Sequence, residues 1–232
     1  MNKHSQKRRR SGRDIMGRIL FFSLVFSAAF SLARVFSAPT FLPRGEVYTH
    51  LKSDYSLMFL QCILGLLVLS LPSILSKKWQ ITIPNFIYVL YYIFLYCAIF
   101  LGEVLAFYYL VPHWDTILHF FSGAMLGALG FILVELLNDS ERVRVSLSPF
   151  FVALFAFCFA LAAGAVWEIY EFTLDSLLGM NMQKHTLATG TQLIGPHALA
   201  DTMKDLIMDA LSALIIAVIG YLRLKKRQSE NV

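Results

Sequence analysis

Charge is what this sequence has least of. Asp, Glu, Lys and Arg make up 15% of the 232 residues against 57% hydrophobic, and the mean hydropathy is +0.63, which excludes an ordinary soluble globular domain and points to a bilayer as the solvent. Cysteine is scarce too. Cys62, Cys97 and Cys158 all lie in apolar stretches, where a thiol acts as a small buried hydrophobe, so neither a disulfide nor a metal–thiolate framework is expected. No internal repeat, low-complexity linker or second soluble domain interrupts the chain, and it contains no His-Glu-x-x-His, Gly-x-Ser-x-Gly or phosphate-loop signature that would assign a ready-made chemistry. The net charge is +5 and the pI about 9.1. The basic residues stand in short runs beside apolar segments, where anionic lipid is a nearer partner than nucleic acid, so no nucleic-acid binding is expected.

What the chain does have is long apolar runs. A helix needs roughly 20 mainly apolar residues to cross a bilayer, and six stretches qualify, near 15–37, 55–76, 86–110, 114–137, 149–174 and 204–222. Lipid leaves unmade backbone hydrogen bonds uncompensated, so these runs are expected to be helices. The fold class is all-α, a polytopic helical bundle of about six spans over 15–222 with basic tails at 1–14 and 223–232. Loops rich in Lys and Arg stay cytoplasmic. Fourteen such residues fall on one side: Lys3, Lys7, Arg8, Arg9, Arg10, Arg13, Lys77, Lys78, Arg142, Arg144, Arg223, Lys225, Lys226 and Arg227. The other side has only Arg44, Lys52, Lys184 and Lys204. Both termini are therefore expected in the cytoplasm of a cell whose plasma membrane holds the protein. The first run starts like a signal peptide, but Phe36 and Ala38 make a poor cleavage site and Arg34 interrupts it, so it reads as an uncleaved span. Arg18 and Arg34 are expected to snorkel towards opposite surfaces. Residues 175–203 read as a long outward loop rich in polar residues.

The few acids are not scattered. In the fourth span Asp115 and His119 are four apart, on one helix face, and the same line continues through Gly123 and Gly127. The fifth ends with Glu168, Glu171 and Asp175 on one face, with Gly164 and Ala160 behind them. The sixth carries His197, Asp201, Asp205 and Asp209 at intervals of four, continuing through Ala213 and Ala217. Each ladder has acids at one end and small residues below, which lets backbones approach and polar side chains converge. By the assigned topology all three acidic ends lie at the outer face, where Glu103 is a further candidate. Capping accounts for Asp201 taken singly, but not for acids on the small-residue face of every helix. His113 and His185 read as solvated residues, and Trp114, Trp167, Tyr108 and Tyr109 as interfacial anchors.

Acids in hydrocarbon need compensation. Carboxylates with an imidazole are suitable ligands for a divalent ion such as Zn, Mn or Mg. The expected metal set is Asp115, His119, Glu168, Asp205 and Asp209, and the expected catalytic acids and bases are Glu168, Glu171 and Asp175.

The segments Trp114-Asp115-Thr116-Ile117-Leu118-His119-Phe120 with Ser122-Gly123, Trp167-Glu168-Ile169-Tyr170-Glu171 with Asp175, and Asp201-Thr202-Met203-Lys204-Asp205-Leu206 with Asp209 resemble a family of uncharacterised bacterial inner-membrane proteins, the YjdF-like proteins, over roughly 86–222. More loosely, the order of motifs is similar to VanZ-like membrane proteins associated with glycopeptide resistance, in which the middle motif reads Glu followed by Gln where this chain has two acids. The resemblance implies a bacterial inner membrane and the same site residues, and no particular reaction. Three functions stay open: a metal-assisted enzyme or ligand-binding site acting on an envelope or lipid-linked substrate, a proton- or cation-coupled transporter, and an accessory protein whose acids only fix helix packing.

Overall fold

The computed structural model describes residues 12–41, 49–80, 82–138, 147–187 and 189–230. The basic residues expected at positions 3–10, 44, 142 and 144 lie outside the described residues. The elements are α1 (Gly12–Val35), α2 (Lys52–Val68), α3 (Leu71–Trp79), α4 (Asn85–Leu95), α5 (Phe107–Leu110), α6 (Trp114–Asn138), α7 (Pro149–Leu178) and α8 (Pro196–Glu230), with a π-helical segment, Tyr96–Val104, continuing α4. Among the described residues no strand forms, and one antiparallel bridge joins Thr186 to Gln192. Six helical stretches are long and apolar enough to cross a membrane: Gly12–Val35, Lys52–Lys78, Asn85–Val104, Trp114–Leu137, Pro149–Leu178 and Pro196–Glu230. Only 28–33% of the most apolar window of each is buried, and side chains such as Phe22 (66% exposed), Phe26 (75%) and Phe150 (65%) face outward. An apolar surface this extensive is stable against lipid and not against water.

The chain forms two units: Met1–Phe41 with His50–Leu110, and Leu42–Thr49 with Val111–Val232. In the first, Leu20, Leu24 and Ala28, spaced by four on α1, pack with Cys62 of α2 and with Tyr88, Tyr92, Leu95 and Ile99 of the third span. Cys62 is a fully buried core residue, Cys97 is half-buried and Cys158, expected to be buried, is exposed on the apolar surface; none of the three is in a disulfide.

The second span, expected as one helix over 55–76, is interrupted between α2 and α3. Pro72, in the first turn of α3, has no amide hydrogen to donate to the carbonyl four residues back. That carbonyl belongs to Val68, and the Tyr91 hydroxyl of α4 donates to it at 2.8 Å. A side chain from the neighbouring span thus replaces the bond that proline removes. The third span, expected to run to 110, leaves regular helix sooner: Ala106 adopts φ +58°, and the Tyr108 ring lies against Gly102.

In the second unit α6, α7 and α8 pack pairwise against one another. α7 starts at Pro149 behind Ser148, whose hydroxyl accepts from the Phe151 amide at 3.2 Å, and stops at Gly179 with φ +62°, where a residue without Cβ is favoured. α8 is longer than the expected 204–222 by about two turns at each end, so its acid ladder starts on helix and the basic tail is helical to Glu230. The loop is correspondingly shorter, 179–195. It is held by Asn181, whose side chain accepts from Thr186 N (2.9 Å) and donates to Thr186 O (2.7 Å), and by Gln183, which donates to Thr202 Oγ1 (2.8 Å).

Glycines set the spacing of the bundle. A Cβ at Gly130 of α6 would lie 2.7 Å from Ala156 Cα of α7, which is backbone and cannot rotate away. Gly130→Ala is expected to lower unfolding stability in detergent by about 1–3 kcal/mol. Tyr91→Phe, which leaves the Val68 carbonyl without its donor, is expected to lower it by about 1–3 kcal/mol. Both are read by thermal or denaturant melting of the purified variants, and unchanged stability would show that the backbones, or the kink, relax without penalty.

Candidate functional site

The three ladders converge. His119, one turn into α6, has its Nδ1 3.2 Å from Asp209 Oδ2 of α8, and its Nε2 3.8 Å from both Asp115 Oδ1 of α6 and Glu168 Oε1 of α7. One ligand atom each from Asp115, His119 and Asp205 lie within 4.8 Å of one another. His119, Glu168, Glu171, Asp205 and Asp209 are all buried.

Asp209 is the deepest of them, 1% exposed. A Cβ on Gly164 of α7 would strike its carboxylate, and one on Gly123 of α6 would strike its backbone and the Ser212 hydroxyl. Glycines on two helices therefore make the space that this carboxylate fills. Ser122, one turn past His119, shares its hydroxyl hydrogen between the His119 carbonyl (3.0 Å) and Asp209 Oδ1 (3.4 Å). A carboxylate accepts only, so the hydrogen between the ring and Asp209 belongs to Nδ1. The Nε2 lone pair is then turned towards Asp115 and Glu168 when the ring is neutral, which is the tautomer a metal-binding histidine uses when its far nitrogen is held by an acid.

Glu168 differs from its neighbours. It is 5% exposed, and among the described residues neither carboxylate oxygen has a hydrogen-bond partner. The Thr202 hydroxyl is near enough to bear on it but outside hydrogen-bond geometry, and that hydroxyl accepts from Gln183. The nearest basic group is the His119 ring, 3.8 Å from Oε1; a buried carboxylate that accepts no hydrogen bond is unfavourable, and a proton, an ion or a ligand group would compensate it.

Two other acids of the ladders, Glu171 and Asp175, are engaged elsewhere. Glu171 accepts from Trp167 Nε1 at 2.8 Å; the tryptophan read as an interfacial anchor is also a donor to the cluster. Asp175 accepts from the amides of Met182 (2.7 Å) and Gln183 (2.9 Å), with His185 Nδ1 3.4 Å away, so its carboxylate ties the 179–195 loop to the end of α7. Asp201 has one buried oxygen without a partner among the described residues. His197 and His113 are exposed, and Glu103 belongs to the first unit. Ser122, Ser212 and Trp167 make contacts with the cluster that residue type alone did not flag, although Ser122 lies at helical spacing from His119.

A multi-pass helical protein with a buried carboxylate–imidazole cluster shared by three apolar helices is the class that fold and site define. The chain belongs to a family described as predicted membrane protein (DUF2238), whose sequence model matches residues 45–226. It is similar to an uncharacterized protein of Thermotoga maritima, 32% identical over 122 residues, which are 52% of this chain and 54% of that protein. The chain thus spans about half the length of the curated relative it matches. No solved structure matches it.

The contrast between Asp209 and Glu168 can be measured. In chelator-treated protein Asp209→Asn is expected to lower stability by about 1.5–3 kcal/mol, because it weakens a charge-assisted hydrogen bond. Glu168→Gln should raise it by about 0.5–2 kcal/mol, because it removes a buried charge that accepts no hydrogen bond. Denaturant melting of the two variants reads both signs, and a destabilised Glu168→Gln would show that the carboxylate is already paired in the resting protein.

Proposed function

We propose that this protein resides in a bacterial plasma membrane with both termini in the cytoplasm. Its three-helix cluster is an outward-facing divalent-cation site that serves hydrolysis or group transfer on an envelope or lipid-linked substrate. The orientation rests on the excess of Lys and Arg on one side. The site reading rests on one observation above all: His119 is held at Nδ1 by Asp209, one ligand atom each of Asp115, His119 and Asp205 lie within 4.8 Å of one another, and Glu168 stands beside them without a hydrogen bond. The YjdF-like and VanZ-like motif resemblances favour the same residues.

In this reading Asp115, His119 Nε2 and Asp205 are the ligands. Metal–ligand bonds of about 2.0–2.3 Å at tetrahedral angles place ligand atoms about 3.3–3.8 Å apart, so side chains whose ligand atoms lie within 4.8 Å of one another would draw in by up to about 1–1.5 Å to close the set. One imidazole with carboxylates suits Zn or Mn better than Ca. An ion here supplies polarisation of a phosphoryl or carbonyl oxygen. Glu168, whose carboxylate oxygens accept no hydrogen bond, would accept the proton of an attacking water. Asp209 orients the imidazole, Glu171 is positioned by Trp167, and Asp175 fastens the loop that borders the site.

The transporter reading is less favoured because the helices close beneath the cluster. A Cβ at Gly127 would meet Ile216 at 3.3 Å and Ala213 Cα at 3.6 Å, and Gly130 lies against the Ala156 backbone, so α6 packs closely against both α8 and α7 below Asp209.

Elemental analysis of protein purified in mild detergent without chelator tests the proposal. The wild type is expected to carry stoichiometric Zn or Mn, and His119→Ala and Asp205→Asn to lose it while still folded. Added metal at a hundredfold excess over its dissociation constant should stabilise the wild type by about 2.7 kcal/mol and neither variant. A well-folded wild type without metal, and without response to it, would remove the basis for this function and return weight to protonated carboxylates.

A further inference from the structure

The first unit holds a cleft of about 580 Å³ far along the sequence from the acid cluster, lined by α1, by the α2–α3 junction and by Tyr92 of α4. We propose that this cleft binds the phosphodiester headgroup of an anionic phospholipid of the leaflet on the N-terminal side.

The lining residues of α1 are Arg13, Asp14, Gly17, Arg18, Phe21 and Phe22. Their spacing of one and four places them on a single stripe of the helix, two residues wide. The stripe is graded along its length: charged at the start of α1 and aromatic one to two turns deeper. Arg13 is held in place, its Nη2 donating to Ser73 Oγ at 3.1 Å and its guanidinium lying 3.6 Å over the Tyr88 ring. Arg18 is exposed and lies a turn further in. Gly17 sits between the two arginines, where a Cβ would approach Tyr92 to 3.0 Å; its missing side chain keeps the floor of the cleft open. Ser70 and Ser73 bring hydroxyl groups to the opposite wall at the break made by Pro72.

Depth and charge choose the occupant. α1 begins, α3 ends and α4 begins at the same end of the first unit, so the cleft opens at a membrane face whichever way the protein is inserted. Its ionic residues are two arginines and one aspartate. That leaves one positive charge, matched by the single negative charge of a phosphodiester whose headgroup carries no cation. Guanidinium groups recognise phosphate oxygens by paired hydrogen bonds, and the aromatic end, with Phe21 and Phe22 exposed, accepts acyl chain. A free phosphate would use the arginines and leave the apolar half of the cleft unfilled.

The test is binding to the full-length protein in neutral detergent, followed by native mass spectrometry and by thermal melting. Phosphatidylglycerol, phosphatidylcholine and inorganic phosphate serve as separate probes. Phosphatidylglycerol is expected to bind and to raise the melting temperature, with affinity about fivefold weaker for each arginine removed in Arg13→Gln and Arg18→Gln. Lys77→Gln/Lys78→Gln removes two charges from the same end of the unit, outside the cleft lining, and should leave binding unchanged. Arg18→Gln preserves the Arg13 contacts with Ser73 and Tyr88, so it remains informative if Arg13→Gln misfolds. Equal binding of phosphatidylcholine, or equal loss in the lysine variant, would overturn the assignment as unspecific lipid or surface-charge attraction. Displacement of the lipid by millimolar inorganic phosphate would identify a soluble phosphate site and overturn the lipid.

Discussion

A carboxylate that is 1% exposed has to be surrounded on every side, and Asp209 is surrounded through room that two other helices leave for it. Gly164 of α7 gives space to the carboxylate and Gly123 of α6 to the backbone that carries it. Only then can Oδ2 reach His119 Nδ1 and Oδ1 the Ser122 hydroxyl. Close approach of the backbones and satisfaction of the buried acid are therefore one constraint. Packing that brings α8 near enough for Asp209 to meet His119 also brings Asp205 to Asp115, and it leaves Glu168 enclosed without a hydrogen bond. The rest of the second unit follows from this contact. The helices are tightly packed below it, and above it the loop is pinned by Asp175 and Gln183.

The first unit solves a different problem. A proline in a membrane-spanning run leaves a carbonyl that lipid cannot satisfy, and Tyr91 satisfies it from another helix. The break that results turns Ser70 and Ser73 towards the arginine stripe of α1. In both units, then, a local departure from regular packing is matched by a polar side chain of a neighbour, and in both the result is a polar recess at one end of an apolar bundle.

Much of this was written in the order of residues. Six apolar runs of sufficient length announce six helices, because lipid admits no other way to satisfy the backbone of a single segment. Spacings of three and four place Asp115 with His119, Glu168 with Glu171, and Asp205 with Asp209 on the small-residue face of each helix, and the structure buries most of those side chains. Helix ends were less legible. Pro196 and the loop contacts of Asp175 start α8 earlier and end α7 later than hydropathy suggests, because polar residues can be helical wherever capping and tertiary contacts hold them.

Periodicity determined which residues share a face, since helical geometry is local and every side chain inherits its direction from its own turn. It could not determine partners. Whether His119 would turn its Nδ1 to Asp209 or to Asp205, whether Trp167 would serve lipid or Glu171, and which acid would be buried without a hydrogen bond all depend on the rotation and depth of one helix against another. Side chains distant in sequence set those quantities through contacts of a few ångströms, among them Gly123 and Gly164 against Asp209. The sequence by itself determined a membrane bundle with three acid-bearing faces; only tertiary packing decided that Asp209 holds the imidazole and that Glu168 is buried without a hydrogen bond, because relative helix placement is a property of the whole bundle and of no single helix.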